Sequence, residues 1–169
     1  MTSTVWVYSP DDKAWTAGPA MPTPRMSLQA VGLPDGRVVA LGGRDDGTTP
    51  LAIVEVLDTK TGQWSAGKPM LVERYWFGAT LGPDGRIHVA GGIGGIGVSF
   101  LDDAEVMDAS GAWTALPRLP EPRAWNALAA TPDGRVYAIG GSLAPAAAGQ
   151  PPPIPDVTAL DPGAKSWTK

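Results

Sequence analysis

Short apolar runs alternate with polar turns along the whole chain. Three of them fall into phase: Arg37-Val38-Val39-Ala40-Leu41, Arg86-Ile87-His88-Val89-Ala90 and Arg135-Val136-Tyr137-Ala138-Ile139 start 49 residues apart. Each lies between a Pro-Asp-Gly turn and a Gly-Gly pair. A run that short, bounded by turn signals, predicts a buried β-strand. A second type of strand follows each glycine pair. In the first, Val54 and Val56 alternate with Glu55, as a half-buried strand should. The turns have a mechanism, since proline presets φ for a type I turn and glycine takes the positive φ after it.

The period extends beyond the strands. Pro34, Pro83 and Pro132, then Arg25, Arg74 and Arg123, then Trp15, Trp64 and Trp113 all recur at 49 residues. Trp167 follows Trp113 by 54, so the third unit carries an insertion. A period near 50 residues predicts a repeat architecture, and four strands per unit predict a propeller blade. Each unit reads as strands A (Leu28–Leu33 in the first), B (37–41), C (Ala52–Asp58) and D (opening at Trp64). Small residues at Gly78, Ala79, Ala127, Ala129 and Ala130 suit A as the innermost strand. Residues 4–8 align with Ile53–Leu57, so the chain opens on a C strand.

The glycine pairs Gly42-Gly43, Gly91-Gly92 and Gly140-Gly141, with Trp15, Trp64, Trp113 and Trp167 about twenty residues on, resemble the kelch repeat. The Trp-Asp repeat propellers run at about 40–45 residues with Gly-His and Trp-Asp dipeptides, and neither dipeptide occurs here. The resemblance, of the bacterial type, implies an all-β kelch-type β-propeller, a partial ring of about three and a half four-stranded blades. Residues 1–24 read as the C and D strands of an incomplete blade. Residues 25–73, 74–122 and 123–169 read as blades, the last with an Ala/Pro-rich, partly polyproline loop insertion at 142–155. The glycines and tryptophans take structural roles: close backbone approach for the former, blade packing for the latter.

Composition narrows the function. Charged residues are 18% and the net charge is −4, which argues against a general binder of nucleic acid or anionic membrane, since both need a basic patch. Without cysteine there is no disulfide or thiolate chemistry. A single histidine leaves no His/Cys set for a transition metal and no Ser-His-Asp arrangement. No metal and no cofactor is therefore expected. His88 occupies the B-strand place of Val39 and Tyr137 and reads as packed. The acidic pairs Asp11-Asp12, Asp45-Asp46 and Asp102-Asp103 read as solvated turns. Gly92-Ile93-Gly94-Gly95-Ile96-Gly97 spells a dinucleotide-binding pattern, but that fingerprint needs a helix to follow at once, and Val98–Asp103 leads to another strand.

The candidate ligand face comes from the crossing before each A strand and from the B–C loops, which in kelch proteins reach the same side of the ring. Arg25, Arg74 and Arg123 in phase suggest a ring of fork-shaped donors for planar anions, at least partly accessible. Arg44, Ser27, Tyr75, Trp76, Trp125 and Asn126 complete the predicted site, with the two tryptophans stacking on a sugar or peptide. The expected function is a binding module whose loop face meets a protein or carbohydrate partner. The remaining blades are supplied by a longer chain, or copies associate through open blade edges. The alternative is part of a carbohydrate-active kelch enzyme such as a sialic acid mutarotase, with Glu73 and Arg74 as the local pair; catalysis is the less favoured reading. Galactose oxidase chemistry is not implied, for want of its cysteine and histidines. No apolar run approaches the roughly 18 residues of a membrane span, and the N-terminus lacks a signal-peptide core, which favours the cytoplasm if that terminus is genuine.

Overall fold

The computed structural model describes residues 2–94, 99–143 and 153–169. The architecture is all-β, with the sheets arranged as an open, partial ring. It begins with the hairpin β1 (Val5–Ser9) and β2 (Ala14–Gly18). The first four-stranded sheet runs β3 (Gln29–Gly32), β4 (Arg37–Leu41), β5 (Val54–Asp58) and β6 (Gln63–Ala66), each strand antiparallel to the next. After a two-residue strand β7 (Arg74–Tyr75), the second sheet begins with β8 (Gly78–Leu81) and β9 (Ile87–Ala90). Two more short strands, β10 (Ile93–Gly94) and β11 (Ser99–Phe100), intervene before β12 (Ala104–Met107) and β13 (Trp113–Leu116) complete it. The third sheet holds β14 (Ala127–Ala130), β15 (Val136–Ile139) and β16 (Val157–Leu160), and Ala159 bridges Thr168 where the sequence predicts a D strand at Trp167.

The A strands converge. β8 lies between β3 and β14, and a Cβ on Gly78 would come within 2.8 Å of Leu128. The small residues of these strands permit that approach. Between neighbouring sheets lie the cores: Val39, Leu41, Phe77 and Ile87 between the first and second, Ala104, Leu119, Val136 and Trp167 between the second and third. Removing a side chain such as Phe77, which is 1% exposed, is a loss of about 3–5 kcal/mol.

A repeated polar joint accompanies each core. The indole N–H of Trp64 donates to the Pro19 carbonyl, that of Trp113 to Lys68 and that of Trp167 to Pro117, at 3.0, 3.0 and 2.8 Å. The acceptor always lies just beyond the D strand of the preceding sheet or hairpin. Trp15 departs from the expectation of blade packing. Among the described residues its indole N–H finds no acceptor; it is 64% exposed and stacks on Tyr8 alone. Trp6 is similarly uncovered at 61%.

The Gly91-Gly92 pair shows why that spot stays glycine. Both have positive φ, 71° and 101°, a region that penalises any side chain. A Cβ on Gly91 would sit 2.6 Å from the Arg123 carbonyl, and one on Gly92 would sit 2.8 Å from both the Tyr75 carbonyl and the Phe77 Cβ. Gly42 faces the Arg74 carbonyl in the same way. The close neighbours are backbone of the following crossing for Gly42 and Gly91, and of the preceding crossing with Phe77 for Gly92, not a tryptophan. Within the dinucleotide-like run, β10 pairs antiparallel with β11; Gly95 to Val98 lie outside the described residues, as do residues 144–152 of the Ala/Pro-rich insertion. Among the described residues no helix is long and apolar enough to cross a membrane.

Candidate functional site

The crossing before each A strand pairs with the loop after each B strand. Met26 bridges Arg44, Tyr75 pairs with Ile93, and Ala124 bridges Ser142. These pairings gather the predicted site residues at the glycine-pair end of the B strands and sort them into two groups.

The phased arginines belong to the interior. Arg25, Arg74 and Arg123 are 1%, 0% and 0% exposed, so they do not ring an opening as accessible donors. Each pairs with an acid on the C-strand side of its own sheet: Arg25 with Glu55, Arg74 with Glu105 at 2.8 Å, Arg123 with Asp156 at 3.2 Å. Each also donates to a carbonyl at the end of the B strand, Ala40, Gly91 and Gly140 respectively. Glu105 in turn accepts the backbone N–H groups of Leu71 and Val72. A buried guanidinium has five donors to satisfy; these strand ends provide most of the acceptors, while Arg25 Nε and Arg123 Nε and Nη2 find none among the described residues. The arginines are clamps tying the crossing to strands B and C. Burial pulls the Arg74 pKa down, with Glu105 opposing it. The sequence held a signal for this pairing: an acid follows each arginine by 30, 31 and 33 residues. Asn126 is buried as well, donating to the Ala90 carbonyl, and so leaves the predicted face.

The second group stays at the surface. Ser27, Trp76 and Trp125 occupy the same place in successive units, and all three have left-handed backbone, with φ of 59°, 53° and 57°. That conformation costs a residue other than glycine about 1–2 kcal/mol. A hydrogen-bond relay holds it: the Trp76 N–H donates to the Ser27 carbonyl, and the Trp125 N–H to the Trp76 carbonyl at 2.7 Å. The rings of Trp76 and Trp125 lie 4.8 Å apart, tilted by 34°. Phe100, which sequence reading passes over, meets Trp125 edge-on at 5.6 Å. Tyr75 is buried and packs edge-on to Trp76. The Arg44 guanidinium stands 5.6 Å from the Tyr75 ring centre and 5.7 Å from that of Trp76. Trp125 is the most open member, at 46%.

Elsewhere the chemistry is sparse. A cleft of about 560 Å³ lies between the second and third sheets, lined by Asp84, Arg86, His88, Asp133 and Asp161. His88 is buried in its wall and its Nδ1 has no partner. Burial pushes its pKa below the usual histidine value, against the pull of Asp84. Among the described residues no group of three or more His, Asp or Glu side chains is placed to hold a metal.

The Kelch motif matches residues 25–71, the first complete four-stranded unit. A solved structure titled "Structure of YjhT" superposes with a TM-score of 0.80 at 16% identity, covering 98% of this chain and 51% of that one. The chain thus spans about half the length of that structure. No curated protein matches the sequence. The first unit thus matches the Kelch motif, the next repeats its strand order, and the fold over nearly the whole chain is that of a kelch-type β-propeller.

Proposed function

We propose that the chain is a binding module, part of a larger propeller, whose loop face meets a protein or carbohydrate partner. The observation that carries this reading is the Trp76–Trp125 pair, held half-open on a left-handed backbone that the relay to Ser27 supports. Strain kept at a surface position, with large aromatic rings on it, is what a preorganised contact surface requires. The residues that build the frame repeat in all three units, whereas on this face the tryptophan recurs in two and the first unit has Ser27 in its place. The uncovered Trp6 and Trp15 support completion of the ring by further blades, since contiguous apolar exposure marks an interaction surface.

The enzyme alternative draws less support. It asks for Arg74 beside Glu73 at an open pore, and Arg74 is sealed against Glu105. Parallel glycan and peptide arrays, probed with the native protein, Trp76→Ala and Trp125→Ala, test the binding reading. Retained signal in both variants would remove it. Anomer exchange of sialic acid followed by NMR tests the alternative, and the expected result is no acceleration over buffer.

A further inference from the structure

We propose that the cleft between the second and third sheets is a separate binding site, for a small organic cation carried on an apolar body. It lies at the Pro-Asp-Gly end of the B strands, the end opposite the Trp76–Trp125 face, and the inference does not rest on the loop-face reading.

Two clefts of one design separate the sheets. One of about 740 Å³ lies between the first and second, and one of about 560 Å³ between the second and third. Both fall within the roughly 300–1,000 Å³ of small-ligand sites. Both have aspartates from the turns on their rims. They differ in the wall. The B strand gives the first cleft Val39 and the second His88. Leu33 lines the first, whereas its counterpart 49 residues on is Gly82. The backbone does not require glycine there, since Gly82 is not left-handed. The space does: a Cβ would lie 2.7 Å from Asp84 Oδ1 and 3.1 Å from His88 Nε2. Glycine for leucine, together with histidine for valine, puts a polar group into a wall that is apolar in the first unit.

That polar group lacks a partner. His88 is 8% exposed, and among the described residues neither ring nitrogen makes a hydrogen bond. Arg25, Arg44, Arg123, Asn126 and Thr158 also have a buried polar atom unpaired, but they line neither cleft. Burial keeps the imidazole neutral, so it has a lone pair to offer. The rim selects the sign of the ligand. Asp84 pairs with Arg86, while Asp133 and Asp161 share Arg135. Three carboxylates against two guanidiniums leave a negative excess, which favours a cation. Exposed pairs of this kind are weak, so an arriving cation can share their carboxylates. Among the described residues no group of three His, Asp or Glu is placed to hold a metal, which leaves an organic cation. Its ammonium donates to the imidazole and to a rim carboxylate, and its body lies on Leu116, Val136 and Leu160.

His88 is the only histidine, so its Hε1 proton gives a single NMR signal that reports on the cleft directly. The probes are phenethylamine, 2-phenylethanol and phenylacetate, alike in shape and different in charge, titrated at neutral pH. Phenethylamine should shift the signal saturably and bind at least ten times tighter than either of the others. Asp84→Asn, a change at the half-exposed rim, should weaken that binding severalfold. Gly82→Leu combined with His88→Val installs the residues of the first cleft and should abolish it, as read by calorimetry. Should the double variant fail to fold, Asp84→Asn decides. Equal affinity for the three probes overturns the inference, and so does the absence of binding by any of them. It is also overturned by a His88 signal that stays still while calorimetry reports binding, or by affinity for the amine that is unchanged in Asp84→Asn.

Discussion

At one position of the repeat the units carry Arg25, Arg74 and Arg123; nineteen residues further on they carry Arg44, Ile93 and Ser142. The first set is buried and paired with acids. The second lies just after the glycine pairs, where Ile93 is buried with Tyr75 and Ala124, and its single arginine has aromatic rings for company and, among the described residues, no acid. The two positions are close in space, joined by the pairing of the crossing with the B–C loop. What separates them is repetition. A residue needed by every blade recurs in every blade, and a residue needed by a ligand has no reason to.

The sharpest way to break this contrast is to remove one arginine of each kind. Arg74→Met leaves Glu105 buried and uncompensated, and should lower stability by about 3–5 kcal/mol. Arg44→Leu breaks no ion pair among the described residues and loses ring contacts, so it should cost less, about 1 kcal/mol. Urea denaturation of the two variants, read at equal slope, decides; equal losses would erase the distinction between frame and face.

Glycines sharpen the same contrast within the frame. Gly92 and Gly163 both have positive φ, but a Cβ at Gly163 meets nothing within 4 Å whereas one at Gly92 meets Phe77 and Tyr75. Gly163→Ala should cost about 1–2 kcal/mol from the backbone alone. Gly92→Ala adds overpacking and should exceed it by about 1–3 kcal/mol. A pair of denaturation curves with the same midpoint would show that crowding contributes nothing.

The sheet joints give a smaller effect. Trp113→Phe loses the bond to the Lys68 carbonyl and should cost about 1 kcal/mol. Trp15→Phe, with no joint to lose, should be silent in the 169-residue chain. If Trp15→Phe proves as costly, Trp15 has a partner in solution.

The smallest effect is a pH dependence. The His88 pKa is lower in the folded chain than the usual value of about 6.5. The unfolded chain then binds more protons below pH 6.5, so this contribution is intact above that pH and fades as pH falls through it toward the folded value. His88→Val, which installs the residue that Val39 provides in the first unit, should flatten the melting temperature between pH 6.5 and 5 relative to the native protein. Asp84, Arg86, Asp133 and Asp161 line the same cleft and remain in both proteins, and Asp84, against its burial, is held below the usual carboxylate range by hydrogen bonds from Arg86. An unchanged slope would clear His88 of the effect.

Much of the frame was legible because it is written three times. The Pro-Asp-Gly turns set the A–B hairpins, and the B strands were bounded at both ends by turn and glycine. The two-residue strands β7, β10 and β11 were not legible, since periodicity has no purchase on two residues. The arginines were misread for a physical reason: phase shows that a residue recurs, not whether it faces solvent, and only the acids Glu55, Glu105 and Asp156 downstream distinguish a clamp from a ring of donors. Asn126 and Trp125 are neighbours with opposite fates, buried and open. The left-handed backbone at Trp125 decides that, and no sequence pattern encodes it where the residue is tryptophan.

The indole joints bear on how the protein is made. Each tryptophan reaches back 45, 45 or 50 residues to a carbonyl that was synthesised before it. None waits for sequence further on. During translation each sheet can therefore latch onto its predecessor as soon as its own last strand leaves the ribosome, and assembly proceeds from the N-terminus as vectorial synthesis favours. The closure entropy stays about the same at each step, since the span scarcely changes from joint to joint.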